Sequence, residues 1–409
     1  MTGVRAYLDH ASTTPLRPSV LEAMLPWMSS ADPGRVHTEG RMARVALEDA
    51  RSSVAAAFGT RSRQVIFTSG ATEAIHAAVF GALSGASPRA GSGSAGPEHA
   101  GPVPAGPEQA GPGATGGHAI VSEVEHAAVR DATARLAGQV TWVGADAEGR
   151  IRPAEVIAAI GPDTVLVHGQ WANQEVGTLQ PVTEIVAACR QRGITVHVDA
   201  ATAAGRVPID FDALGADLLS VSAHKLGGPP GIGALLVRRG RRFTPMLVGG
   251  SQERERRAGM ENVAAAIGFA AAVSALGEAA EDGTRLLTEA ARARHQIAIL
   301  RDAALAIDGV SAIGPADPGG AIAHLLCLDI AGVEAEGVLL GLDQAGVAAH
   351  SGSSCSSELL EPSPVLAAMG LPAERSLRLS VGWTTTDDEI ALAARVLPQV
   401  IGRLRALAG

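Results

Sequence analysis

The sequence predicts an α/β protein, with a large domain built on a mainly parallel sheet over residues 14–260. A smaller α+β domain is expected from residues 1–13 together with 261–409. Three observations lead to this reading. Between residues 64 and 237, short runs rich in Val and Ile alternate with helical stretches, the pattern of a parallel sheet covered on both faces. Ser69 to Thr72, Glu125, His126, Asn173, Asp199, His224 and Lys225 all fall at the carboxyl ends of such runs, where ligand sites lie in these sheets. After a long alanine-rich stretch, the last third alternates helix and strand again on a smaller scale.

Taken in order, Ala6 to Pro15 reads as a short extended segment ending in a polar turn. Residues 18–28 suit a helix interrupted by Pro26, and 40–58 suit another, with Ala43, Ala46, Leu47, Ala50 and Val54 on one face. Residues 64–68 form a strand, followed by Ser69-Gly70-Ala71-Thr72-Glu73. Ser69 suits an N-cap, Gly70 permits close backbone approach, and a helix start presents free N–H groups to a phosphate. An ordinary capped helix after a strand fits the same letters. Residues 85–117 repeat Ala-Gly-Pro with almost no apolar side chains, so a disordered insertion is expected there.

Strands are then predicted at 118–122, 140–143, 164–168 and 194–198, separated by helices at 126–137, 153–160 and 181–192. Residues 217–237 read as two buried strands joined by a glycine- and proline-rich turn that carries Lys225. Desolvation lowers a lysine's pKa and frees its amine to attack an aldehyde; a surface lysine in a hairpin loop is the alternative. Asp199 ends an apolar run, and a buried carboxylate needs a partner. A protonated pyridine nitrogen, a helix N-terminus or an ion pair would each serve. With Lys225 placed 26 residues later at another strand end, the two make a pair for pyridoxal phosphate. The C-terminal third predicts one long helical run over 261–305, strands at 324–330, 347–349 and 376–380, helices at 334–344 and 363–369, and a last amphipathic helix from Asp387.

The net charge of −9 argues against nucleic acid or an anionic membrane as the main partner. No apolar run approaches the roughly 20 residues of a membrane helix, and the first residues lack the apolar core of a signal peptide, so a cytoplasmic location is expected. Three cysteines are too few for a disulfide framework, and none is spaced as a zinc pair. Cys189 and Cys327 sit in helix and strand patterns and read as buried thiols. Cys355 lies among Ser351-Gly352-Ser353-Ser354, in a stretch expected to be exposed. It is the better nucleophile candidate, unless it is an incidental loop cysteine.

Together these pieces resemble the cysteine desulfurases, fold-type I pyridoxal-phosphate enzymes of the class V aminotransferase fold. The matching stretches are Tyr7-Leu8-Asp9 with Thr13-Thr14-Pro15, Thr68 to Glu73, Glu125-His126, Asn173 to Gly177, His197 to Ala200 and Ser222 to Lys225. Later come Gly249 to Arg254, Ser351 to Cys355, Leu360 to Ser363 and Arg378-Leu379-Ser380. The resemblance covers nearly the whole chain outside 85–117. It implies that Lys225 is the Schiff-base lysine, Asp199 the partner of the pyridine nitrogen, and His126 the residue stacked on the ring and assisting proton transfers. Ala71, Thr72, Ser222 and His224 would hold the phosphate, with Asn173 and position 202 near the ring hydroxyl. Asn173 would also lie near the substrate. Arg378 would bind the substrate carboxylate. Cys355 would take sulfur from L-cysteine as a persulfide, leaving L-alanine, and pass it to an acceptor or scaffold protein. A homodimer is implied as well.

The sequence departs from the family at four places: Thr202 replaces a usual glutamine, Met260 a threonine, Asp32 to Arg35 a more usual Asn-Pro-Ser-Ser, and Trp383 a common arginine. A C–S or selenocysteine lyase, an aminotransferase, or a degenerate scaffold subunit of the same fold are the alternatives.

Overall fold

Seven strands form the central sheet: β1 (Val65–Thr68), β2 (His118–Ser122), β3 (Gln139–Val143), β4 (Thr164–Gln170), β5 (Thr195–Asp199), β6 (Leu218–Ser222) and β7 (Gly233–Val237). They belong to a computed structural model that describes residues 5–84, 116–281, 283–351 and 363–408. The expected insertion lies outside the described residues except for 116 and 117, and Cys355 lies outside them too.

The spatial order is β1-β7-β6-β5-β4-β2-β3. β7 runs antiparallel to both neighbours, β1 and β6, while every other neighbouring pair is parallel. Side chains alternate between the two faces. Val65 and Phe67 join one apolar cluster and Ile66 the other. The first cluster takes Leu47 and Val54 from helix Thr38–Ala57, Ile185 from Val182–Gln191, and Phe269 and Leu276 from Val263–Gly277. The second takes Ile75 and Leu83 from Ala71–Ser84, and Val129 from Ala127–Leu136. Double coverage explains why β1, β2, β6 and β7 are buried along their whole length, so their sequences read as near-continuous apolar runs. β3, at the edge, keeps Gln139 and Trp142 exposed.

A second assembly contains the antiparallel strands β8 (Val310–Ile313), β9 (Leu325–Ile330) and β10 (Ser376–Ser380), in that order. Helices Arg285–Leu305, Ala335–Gln344 and Asp387–Ala408 supply Leu300, Val338, Leu342, Leu397 and Ile401 to its apolar cluster, which also holds Ala6 and Leu8. The N-terminal pair Ala6–Tyr7 runs parallel to Val347–Ala348.

One expectation needs correction here. The run 261–305 is two helices, Val263–Gly277 and Arg285–Leu305, parted by a tight hairpin of Ala279–Ala280 against Gly283–Thr284. Gly283, which opens the return strand opposite Ala280, has φ 118°, a conformation that side-chain-bearing residues resist. The first of these helices gives Phe269 and Leu276 to the apolar cluster of the large sheet, and the second gives Ala293 and Leu300 to that of the smaller assembly. β8 was not foreseen, because four residues of Val-Ser-Ala-Ile give too short an alternation.

Candidate active site

Each conspicuous polar residue of the large sheet follows from where a strand stops. β1 ends at Thr68, and helix Ala71–Ser84 begins three residues later. The N-cap position is therefore Gly70 and not the expected Ser69, and the first intrahelical bond is Ala74 N–H to Gly70 O, 3.1 Å. Amides ahead of Ala74 in this turn have no acceptor in the helix. Glu73 turns back so that its Oε2 accepts from Ser69 N–H at 2.7 Å. Arg257 donates to the same carboxylate, 2.8 Å from Oε1 and 3.2 Å from Oε2. Burial opposes ionisation of Glu73, but the Arg257 and Ser69 hydrogen bonds prevail and hold its carboxyl below the usual range.

β6 and β7 meet head to tail around the turn that carries His224 and Lys225. Residues Ala223–Leu226 make a short 3₁₀ turn that Gly227 closes in the left-handed region, at φ 88°. Gly233, at the start of β7, is required by close approach: a Cβ there would sit 2.5 Å from Val221 O and 2.8 Å from the Gly70 backbone. The helix start and the lysine turn are thereby pressed together.

One cavity of about 460 Å³ lies where these pieces converge. Ala71, Thr72, His126, Asp199, Thr202, Ser222, His224, Lys225 and Arg378 all line it. At one end, Ser222 Oγ is buried without a hydrogen-bond partner, beside the open amides of the helix start and the Thr72 hydroxyl. Such a donor set fits a phosphate. At the other end Asp199 Oδ1 accepts from Ala201 N–H (2.9 Å) and Ser220 Oγ–H (3.3 Å). His126 caps helix Ala127–Leu136: its Nδ1 accepts from Ala128 N–H at 3.1 Å. The neutral ring must then carry its proton on Nε2. Burial, and then the Lys225 charge, push the His126 pKa down, which keeps the ring neutral. His224, bonded through Nδ1 to Thr13 Oγ1 at 3.2 Å, is pushed down to about 4 by burial and by Lys225.

Arg378 reaches the cavity from the middle of β10, and its side chain is only 1% exposed. Asp9 Oδ1 (2.9 Å), Ser12 Oγ (2.8 Å) and Gln174 O (3.0 Å) accept from its guanidinium and fix its plane.

Asn173 is not among the lining residues. Its Nδ2 donates to Val124 O at 3.1 Å, and its Oδ1 accepts from the Glu175 and Val176 amides, 2.9 Å each. It shapes the turn after β4, and its neighbour Gln174 lines the cavity instead. Gln174, Ser12 and Gly231 were not singled out from sequence, because each reaches the cavity from a different segment. Glu125 is buried, and burial and then Asp199 push its carboxyl well above the ordinary range against the Gln170 and His126 amides. Cys189 and Cys327 are buried, and burial lifts their thiols to about 11 and about 12. Neither is reactive. Met260 lies exposed. Trp383 donates Nε1–H to Pro15 O at 2.9 Å. Among the described residues no group of His, Cys, Asp or Glu is placed to hold a metal ion.

The family model described as aminotransferase class-V matches residues 6–91 and 106–392. The chain is 36% identical to "Cysteine desulfurase IscS" of Dictyoglomus turgidum, over 98% of its own length and 95% of that protein's. It is likewise 36% identical to "IscS-like cysteine desulfurase" of Mycobacterium tuberculosis, over 98% and 97%. Among solved structures, "NifS-like protein" superposes with a TM-score of 0.84 at 25% identity, over 98% of this chain and 100% of that one. "SspA in complex with cysteine" gives 0.74 at 28%, over 93% and 100%.

Proposed function

From the premise that the chain belongs to the class-V aminotransferase family, and within it to the cysteine desulfurases, we propose how its residues divide the work on L-cysteine. The observation that carries the reading is the single cavity that joins Lys225, Asp199, His126, Arg378 and a phosphate-sized donor cup. Pyridoxal 5′-phosphate, when bound, supplies an electron sink for the carbon skeleton of the amino acid. Ala71, Thr72, Ser222 and His224 would hold its phosphate, Lys225 its aldehyde carbon and Asp199 its pyridine nitrogen. Thr202 lines the cavity where it would neighbour the ring.

Arg378, oriented by Asp9 and Ser12, would take the substrate carboxylate. His126 would move a proton at Nε2. Cys355 would receive the sulfur as a persulfide, leave L-alanine, and hand the sulfur to an acceptor protein. A homodimer belongs to the same reading, and Leu25, Met28, Met42, Val45, Val248 and Met260 are exposed apolar side chains that a second copy could cover. A cytoplasmic site of action agrees with the absence, among the described residues, of any helix long and apolar enough to cross a membrane.

Mass spectrometry after incubation with pyridoxal phosphate and L-cysteine, without reductant, tests the proposal. One added sulfur atom on the Cys355 peptide, absent from Lys225→Ala, is expected. Bound cofactor without a persulfide would indicate a lyase or transaminase. No bound cofactor would indicate a scaffold subunit.

A further inference from the structure

A line of buried polar side chains leads from Asp199 into the packing between sheet and helix. Asp199 and Ser220 are direct cross-strand partners on β5 and β6, and His168 and His197 are direct partners on β4 and β5. Because His197 and Asp199 are two residues apart, all four share one face of the sheet. Ser220 Oγ lies 3.3 Å from Asp199 Oδ1 and 3.1 Å from His197 Nε2. The two Nδ1 atoms of His197 and His168 are 3.0 Å apart. His168 Nε2 is 3.1 Å from Thr133 Oγ1, which is also 2.7 Å from Val129 O in its own helix. Ser220, His197, His168 and Thr133 are each at most 2% exposed, so water does not complete their bonding.

Counting hydrogens leaves two arrangements. Burial pushes the His197 pKa down to about 4, and burial together with His197 pushes His168 well below its usual value. Each ring is therefore neutral and carries one N–H, and one hydrogen lies between the two Nδ1 atoms. In the first arrangement Thr133 donates to His168 Nε2, His168 Nδ1–H to His197, His197 Nε2–H to Ser220, and Ser220 to Asp199. In the second every donor reverses: Ser220 donates to His197, His197 Nδ1–H to His168, His168 Nε2–H to Thr133, and Thr133 to Val129 O. Both make four hydrogen bonds. Only the first ends on a carboxylate, and charge-assisted bonds are roughly twice as strong as neutral ones.

We propose that Thr133, His168, His197 and Ser220 form a one-directional hydrogen-bond chain that positions Asp199, with His168 protonated on Nδ1 and His197 on Nε2. All four are positioning residues. The chain and the Ala201 amide together occupy Oδ1. Oδ2, which accepts no hydrogen bond among the described residues, is left to face a cationic ring nitrogen. Only that last consequence rests on the cofactor reading above.

The test is ¹⁵N NMR of histidine-labelled full-length protein, with and without pyridoxal phosphate. The two rings are assigned by their loss in His168→Gln and His197→Gln. In the wild type, His168 should show the Nδ1–H pattern and His197 the Nε2–H pattern. Ser220→Ala removes the last link, so both tautomers should reverse, whereas Ser220→Thr keeps the hydroxyl and should preserve them. Asp199→Ala should reverse them as well and replaces Ser220→Ala if that variant does not fold. A wild-type His168 protonated on Nε2, or tautomers unmoved by these removals, would overturn the chain. A sample with the expected tautomers that binds no pyridoxal phosphate would refute the cofactor reading and leave the chain standing.

Discussion

Glu253→Ala should cost about 3–5 kcal/mol, the usual consequence of leaving a buried charge without its partner. Arg51 and Glu253 form a two-pronged ion pair, with Nη2 to Oε1 at 2.7 Å, and both side chains are 1% exposed. Glu253 Oε2 also accepts from the Phe67 amide of β1 at 2.9 Å. Without Glu253, Arg51 keeps Val65 O and the half-exposed Glu48 at 3.2 Å each, and the Phe67 amide is orphaned. The ion pair also restrains Glu253, Arg254 and Glu255, whose φ values of 50°, 57° and 64° are all left-handed, at about 1–2 kcal/mol each. Once released, these residues can relax and draw Arg257 away from Glu73 at the phosphate end of the cavity. At about 1–2 °C per kcal/mol for a chain of this length, thermal unfolding should drop by at least about 3 °C. Affinity for pyridoxal phosphate should weaken in the same variant. The double variant Arg51→Met, Glu253→Met replaces the pair by apolar side chains and should recover part of the loss. A single variant that melts within about 1 °C of wild type, or a double variant less stable than the single, would refute this account.

Other outcomes follow from the same geometry. Burial pushes the pKa of His10, His118, His126, His168, His197, His224 and His324 down, so below pH 6.5 the unfolded chain binds more protons at each. Glu125, Glu175 (about 7) and Glu261 are pushed up by burial and oppose this above pH 4.5. With the histidines in the majority, stability should fall from pH 6.5 toward 4.5, by about 1.4 kcal/mol per pH unit for each fully buried histidine not offset. Urea midpoints at pH 7.5 and 5.5 check the sign, and an equal or higher midpoint at pH 5.5 contradicts it. His126→Gln should slow desulfuration by about 10²–10⁴ while the cofactor spectrum is retained; loss of cofactor would mean the ring acts in binding. Gly233→Ala forces a methyl onto backbone atoms and should destabilise by about 1–3 kcal/mol, read from urea unfolding. Ser363→Ala removes the N-cap of helix Pro364–Ala368 and its bond to Glu175. It should cost about 1 kcal/mol, and an unchanged urea midpoint would contradict that.

The large sheet was legible because doubly covered strands leave unmistakable Val- and Ile-rich runs, and because strand ends are where polar residues can meet. That pattern put Lys225 and Asp199 at neighbouring strand ends, and both line one cavity. Arg378 did not show itself by pattern, since an arginine in the middle of a buried strand runs against burial statistics; the resemblance alone pointed to it. What Asn173 does locally could not be read from letters: its side chain holds two amides of its own turn and the carbonyl of Val124, 49 residues away. The break near residue 280 was masked by good helix formers on both sides, with Gly277 and the Asp282-Gly283 pair as its signals. Ser220 could have been noticed, because it alternates with Ser222 in an otherwise apolar strand, and a polar residue two back from a ligand end shares its face.

The hairpin between β6 and β7 has a mechanical consequence. A lid swings on two pliable hinges, whereas the Lys225 turn is welded at both ends into central strands. Thr14 Oγ1 and Arg206 Nη2 bind the Lys225 carbonyl at 3.1 and 3.2 Å, and the Arg17 amide binds Gly227 O at 3.0 Å. The backbone beneath the amine is an anvil. Any travel at this point of the cavity falls to the lysine's own four-carbon stem or to what enters the cavity.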